Sequence, residues 1–174
     1  GKFAAFLQTS DDRGARLQIC EIATGLVTDR GSAGSDTFDR AVAWSADSKQ
    51  VVVLRDRPRG PRYTTIDLAT GEWNDNPHCA GRSAEQIAWN RYGDILALDT
   101  TNRTVYACTA IGVQKVVVGS AEAFAAHPKD RTVAAWVKGT QVAEMYRTSA
   151  PSKLPTTTIT PVYNKSGVYV VEVD

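Results

Sequence analysis

Ala43-Trp44-Ser45 recurs as Ala88-Trp89-Asn90, 45 residues later, and the same succession of patterns follows each copy. A polar turn comes next, residues 45–50 in one copy and 90–94 in the other. Each turn leads into an apolar run, Val51-Val52-Val53-Leu54 or Ile95-Leu96-Ala97-Leu98. A third copy passes from Phe124 through His127-Pro128-Lys129-Asp130 into residues 132–136, and a fourth from Val162 through Asn164 into residues 168–173. A repeat of this length constrains a chain strongly. Each unit is one supersecondary structure, and its apolar faces are covered only when neighbouring units stack on it.

The clearest unit is 41–73. Val42-Ala43-Trp44 is a short apolar strand, and 51–54 is a β-branched run of the kind found in the middle of a sheet. Tyr63 to Leu68 alternates polar and apolar, and Ala69-Thr70-Gly71 turns the chain into Glu72-Trp73. Four strands and three tight turns make a meander, the size of one blade of a β-propeller. The outer half repeats too: residues 17–25, LQICEIATG, match 63–71, YTTIDLATG, and 104–112 is a looser version. Gly25 and Gly71 sit where a hairpin needs positive φ. No stretch has a helical period, and Pro151, Pro155 and Pro161 oppose helix near the C-terminus. The expected fold is all-β, a β-propeller of about four four-stranded meanders in one domain over 1–174. The blade-like units are expected at about 1–31, 41–74, 84–119 and 122–160, with a partial unit at 160–174.

The pattern Ala43-Trp44-Ser45-x-Asp47-x-Lys49, then an apolar run, an alternating strand and Asp67-Leu68-Ala69-Thr70-Gly71-Glu72, resembles the TolB-type and related WD-like propeller repeats. The resemblance spans almost the whole chain in about four units. It departs from true WD repeats in lacking their Gly-His and Trp-Asp signature. Because these motifs are structural, the resemblance implies a fold and leaves the function open.

The register at the two ends is uneven. Residues 2–9 align with the second strand of a blade, and 162–173 supplies a first and a second strand. The chain is therefore expected to be part of a larger ring, whose remaining blades lie on another segment or chain. The alternative is a four-bladed ring closed by the C-terminal strands. The opening GKFAAF, without Met or a signal-peptide pattern, is expected of a processed, trimmed or partly represented chain.

A formal net charge of +1 gives no global field for nucleic acid or anionic membrane, and no apolar run approaches the ~18 residues of a membrane helix. Three cysteines leave at least one unpaired within the chain. Cys20 and Cys108 fall at corresponding places on apolar alternating strands and read as small buried hydrophobes. Cys79 reads as the one facing solvent. With no disulfide framework in view, a reducing compartment is mildly favoured.

Catalytic signatures are missing: there is no GxSxG, phosphate loop, HExxH or EF-hand pattern. No catalytic residue, cofactor or metal site is expected. His127 stands where other units have Ser45 or Asn90, so capping its own turn is weighed against a ligand or acid–base role. His78, near Asp75 and Cys79, is read as a loop residue rather than a metal ligand. Trp44 and Trp89 are expected to be mostly buried, whereas Trp73 or Trp136 facing solvent would be a contact candidate. Asn102-Arg103-Thr104 and Asn164-Lys165-Ser166 match the glycosylation triplet, as chance alone provides.

The sharpest local feature is Arg55-Asp56-Arg57-Pro58-Arg59-Gly60-Pro61-Arg62. Four guanidinium groups on one connection suit carboxylate or phosphate partners, although a solvated hairpin tip explains them as well. The function expected is a non-enzymatic propeller scaffold for protein–protein interaction, with Arg55, Arg57, Arg59 and Arg62 as candidate contacts to an acidic protein surface. Nucleic acid is a less favoured partner, and no membrane insertion is expected. The alternative is the gating or substrate-recognition domain of a larger enzyme such as a peptidase.

Overall fold

Short polar turns return each strand beside the one before it, so hairpins follow one another and every sheet is an antiparallel meander. The computed structural model describes residues 2–10, 14–30, 38–77, 79, 81–99, 101–117, 119–127, 130–139 and 143–148, together with Val162–Tyr163 and Tyr169–Val170. The first sheet is β1 (Phe3–Ser10), β2 (Gly14–Glu21) and β3 (Val27–Asp29). The second is β4 (Phe38–Trp44), β5 (Gln50–Asp56), β6 (Arg62–Asp67) and β7 (Trp73–Asn76). The third is β8 (Gln86–Trp89), β9 (Ile95–Leu98), β10 (Val105–Thr109) and β11 (Gly112–Val117). The fourth comprises β12 (Ala121–Ala126), β13 (Thr132–Val137) and β14 (Ala143–Arg147). A hairpin of β15 (Val162–Tyr163) and β16 (Tyr169–Val170) follows. No helix occurs among the described residues, and the expected meanders are found in the second and third sheets.

Packing follows from the two-residue period of a strand. On β5, Val51 and Val53 face the first sheet and pack with Leu17, Ile19 and Ile66. Val52 and Leu54 face the third sheet, among Tyr63, Ile87, Ile95 and Ala97. On β9, Leu96 and Leu98 turn the other way, onto Phe124, Val133 and Ala135 of the fourth sheet. The central strands are therefore continuous apolar runs because both their faces are covered. Gln86 adds a polar link between sheets. Its amide donates to the Phe124 carbonyl (2.7 Å) and accepts from the Phe124 N–H (3.1 Å), standing in for a strand.

The turns recur with their chemistry. Between β6 and β7 the Asp67 carboxylate accepts from the N–H groups of Ala69 (2.9 Å) and Thr70 (3.0 Å), while Gly71, at φ 74°, donates to the Asp67 carbonyl. Glu21, Thr24 and Gly25 build the same loop between β2 and β3. A third such loop lies between β9 and β10, where Asp99 accepts from Thr101 and Asn102 and Arg103 takes the positive-φ position at 52°. The sequence repeat pointed instead to Gly112, which closes a tighter hairpin after Thr109.

Trp44 and Trp89 sit at matching ends of β4 and β8, and both are largely buried, as expected. They pack at the margins of two clusters because the inner strand ends lie at the rim of the stack. Cys79 is fully buried rather than solvent-facing, and it is bonded to Cys108 on β10 with a Cα–Cα distance of 5.5 Å. The argument for a reducing compartment loses its basis, since it rested on unpaired thiols. Cys20, half-buried on β2, is the free cysteine.

Leu54→Ala is expected to cost about 2–5 kcal/mol in a denaturant titration, and Trp89→Ala less than the ~3–5 kcal/mol typical of a fully buried aromatic. Reducing the Cys79–Cys108 bond, or replacing Cys79 with Ser, is expected to lower stability by about 2–4 kcal/mol; thermal melts with and without reductant check this. The two amides at Asp67, that of Thr70 foremost, hold its carboxyl below the ordinary 3.8. The stabilisation this provides is complete above that value and is lost as pH falls through the lowered one. An NMR titration should place the Asp67 midpoint below 3.8, and Asp67→Asn should remove that part of the acid sensitivity.

Candidate functional site

The arginine-rich connection divides into a buried and an exposed half. Arg55 lies within β5, not in the loop, and its side chain is 1% exposed. The register shifts between Asp39 and Ala41, leaving Arg40 exposed and setting Asp39 opposite Arg55. The Arg55 Nε lies 2.8 Å from the Asp39 carboxylate, and its guanidinium stacks 3.7 Å from the centre of the Trp73 ring. Burial pushes the Asp39 carboxyl up and the Arg55 guanidinium down, and each charge opposes the other's shift. Arg55 thus belongs to the packing between the first two sheets and is unavailable to a partner.

Arg57, Arg59 and Arg62 remain together at the surface. With Pro58 and Asp75 they line a pocket of about 410 Å³. The turn is built locally: Gly60, at φ 102°, donates to the Arg57 carbonyl (2.8 Å), and Gly81 donates to the carbonyl of Pro61 (3.0 Å). Pro58 and Pro61 restrict the backbone further. Arg57 donates two bonds to Asp75 on β7 (3.0 and 3.2 Å), and the Thr64 hydroxyl donates to the same carboxylate (2.9 Å). This pair is partly exposed, so it orients Arg57 more than it stabilises the fold. Arg59 and Arg62 have no carboxylate within ion-pair distance among the described residues. The pocket therefore carries two positive charges beyond the Arg57–Asp75 pair and suits an anionic group. Tyr63, beside Arg62, buries its hydroxyl without a hydrogen-bond partner among the described residues, and burial raises its pKa.

The other sequence candidates resolve individually. The His127 Nδ1 accepts from the N–H of Asp130 (3.2 Å), and Thr132 N–H donates to the Asp130 carboxylate (2.9 Å). Ser45 and Asn90 cap the equivalent turns, through bonds from Gln50 (3.0 Å) and from Tyr92 and Asp94 (2.9 and 3.0 Å). Trp73 is half-buried under Arg55, and Trp136 is half-buried on β13. Asn102 is committed to its turn and to the Tyr106 hydroxyl (3.0 Å). His78 and residues 164–166 lie outside the described residues. Sequence reasoning missed a second groove, of about 390 Å³, where Trp44, Trp89, Asn90, Arg91 and His127 meet. Its signal was the repeat itself, which puts these residues at equivalent inner-strand ends. Among the described residues no cluster of three or more His, Cys, Asp or Glu could hold a metal.

No protein-family model and no curated protein matches the sequence. Solved structures do match the fold. TolB from Acinetobacter baumannii superposes with a TM-score of 0.65 at 12% identity, over 92% of this chain and 43% of its own. The β-propeller domain of Cps50 (Swd1) from Myceliophteria thermophila gives 0.58 at 14%, over 98% and 58%. A puromycin hydrolase mutant complexed with PGG gives 0.65 at 13%, over 98% and 31%. A chain of the mitotic checkpoint complex also matches, with 0.63 at 14% over 87% and 45%. The chain spans less than two thirds of each of these proteins. It has the β-propeller fold of TolB-like structures.

Asp39→Asn is expected to cost about 3–5 kcal/mol, because it leaves Arg55 buried without its counter-charge. A urea titration compared with Asp75→Asn checks this; the partly exposed Arg57–Asp75 pair should cost at most ~1 kcal/mol.

Proposed function

We propose that the chain is a non-enzymatic β-propeller scaffold for protein–protein interaction, and that Arg57, Arg59 and Arg62 contact an acidic protein surface. The observation that carries this reading is the preorganised pocket beside Asp75, with two guanidinium groups unpaired among the described residues. Proline and a capped turn reduce the entropy lost when such a loop binds. Propeller neighbours occur in protein complexes, the mitotic checkpoint complex among them, which supports a protein partner in general terms. A second reading, the propeller domain of a larger enzyme such as a peptidase, is favoured by the likeness to the puromycin hydrolase, of which this chain matches 31%.

The test compares the wild-type chain with the Arg57→Ser, Arg59→Ser, Arg62→Ser variant, using poly-L-glutamate as an acidic-protein probe and duplex DNA as competitor. Three contacts of about 0.5 kcal/mol each amount to roughly tenfold in affinity. The expected result is that loss, with a shallower salt dependence in the variant. Unchanged affinity and salt slope would make the loop a solvated hairpin, and preferential DNA binding would replace the protein partner with nucleic acid.

A further inference from the structure

Asp75 shows what one carboxylate does in the arginine pocket. Both of its oxygens are taken by a single guanidinium, that of Arg57, through bonds of 3.0 and 3.2 Å. A carboxylate has no third oxygen to offer a second arginine, and its one charge is matched by the first. Arg59 and Arg62 line the same pocket, and neither has a carboxylate within ion-pair distance among the described residues. Asp56, the carboxylate nearest to the loop in sequence, is held by Arg40. Three guanidinium groups against one carboxylate therefore leave two positive charges in a space of about 410 Å³.

The anionic groups that macromolecules present differ in charge and in free oxygens. A glutamate or aspartate side chain brings one charge and two oxygens, which is what Arg57 alone already takes from Asp75. A phosphodiester brings one charge as well, with two free oxygens. A phosphate monoester brings about −1.5 to −2 at pH 7 and three strong acceptor oxygens. One such group bridges Arg59 and Arg62 and balances both, and planar guanidinium forks match its oxygens. The loop is shaped before any ligand arrives, since Gly60 turns it at φ 102° between Pro58 and Pro61.

We propose that the pocket is a phosphate-monoester site, and that its ligand is a phosphorylated side chain of the partner protein. This rests on the protein-partner reading above and names the group that the partner presents. Phosphorylation of the partner then switches the contact, because it adds a charge and acceptor oxygens where a single exposed ion pair is weak.

Chemical-shift titration of the 174-residue chain with short, otherwise uncharged peptides tests this. One peptide carries a phosphoserine, one a glutamate in its place and one a plain serine. At about pH 7.5 the phosphoserine peptide should bind about tenfold more tightly than the glutamate peptide, the worth of one further charge-assisted bond. That ratio should fall several-fold at about pH 5.5, where the phosphate, with a second pKa near 6, has largely regained a proton and glutamate remains ionised. Guanidinium groups stay charged throughout, and titration of the protein's own groups acts on both peptides and cancels in the ratio. Arg59→Ser and Arg62→Ser, made singly, should each abolish the preference with an unchanged circular dichroism spectrum. Equal affinity for the phosphoserine and glutamate peptides would overturn the inference and leave the acidic-surface reading standing. Binding of neither peptide nor poly-L-glutamate would remove both. A preference that survives both serine variants would place the phosphate elsewhere. Inorganic phosphate competing at the same concentration as the peptide would replace the protein partner with a free anion, and a DNA duplex displacing the peptide more effectively would replace it with nucleic acid.

Discussion

A sheet that is apolar on both faces cannot stand alone in water, and most of this structure follows from that constraint. Val51 and Val53 require one neighbour while Val52 and Leu54 require another, so the second sheet lies between the first and the third. The third is held in the same way by Leu96 and Leu98 against the fourth. Burial at roughly 25 cal/mol per Å² of apolar surface acts at every inter-sheet layer and has no preferred direction. Direction comes from the strands, whose period of two sends alternate residues to opposite neighbours. In the first sheet Phe6, Ile22 and Val27 are exposed, although Val53, the counterpart of Phe6 one unit later, is fully buried.

Charge is arranged around that stack in two regimes only a few residues apart. Arg55 is drawn into the layer between two sheets, where Asp39 and the Trp73 ring take the place of its hydration. Such a pair is costly to desolvate and costly to break, so it constrains the register of β4 and β5 more than it adds stability. Arg57, two residues later, remains in partial contact with solvent and is oriented by Asp75, with Arg59 and Arg62 beside it. The end of β5 is therefore the boundary between an arginine buried between sheets and arginines that line a surface pocket.

Part of this was legible in the sequence because it is local. Alternation, β-branched runs and turn residues act within a few positions, so the meanders at 41–73 and 84–118 and the all-β propeller fold could be read from the repeat. The His127 turn cap follows the same logic, since its partner, Asp130, is three residues away. The exposed half of the arginine site was legible too, because Pro58, Gly60 and Pro61 announce a turn and the charges are adjacent in the chain. The Asp99 loop was missed because Arg103, not glycine, holds its positive φ.

What only the tertiary structure decided depends on residues far apart in sequence. Arg55 reads as part of an exposed cluster until β4 brings Asp39 opposite it and β7 lays Trp73 over it. Cys79 and Cys108 read as unrelated until the third sheet folds and places them 5.5 Å apart, across 29 residues of chain. Trp44 and Trp89 repeat as core residues do, and the structure sets both, partly buried, at the margins of two separate clusters. Sequence by itself determined the period, and with it the class of fold, because backbone and turn preferences are short-range. Which side chains became buried, paired or bonded was decided by how one sheet lies on the next, since desolvation and disulfide geometry are set by neighbours that no local pattern identifies.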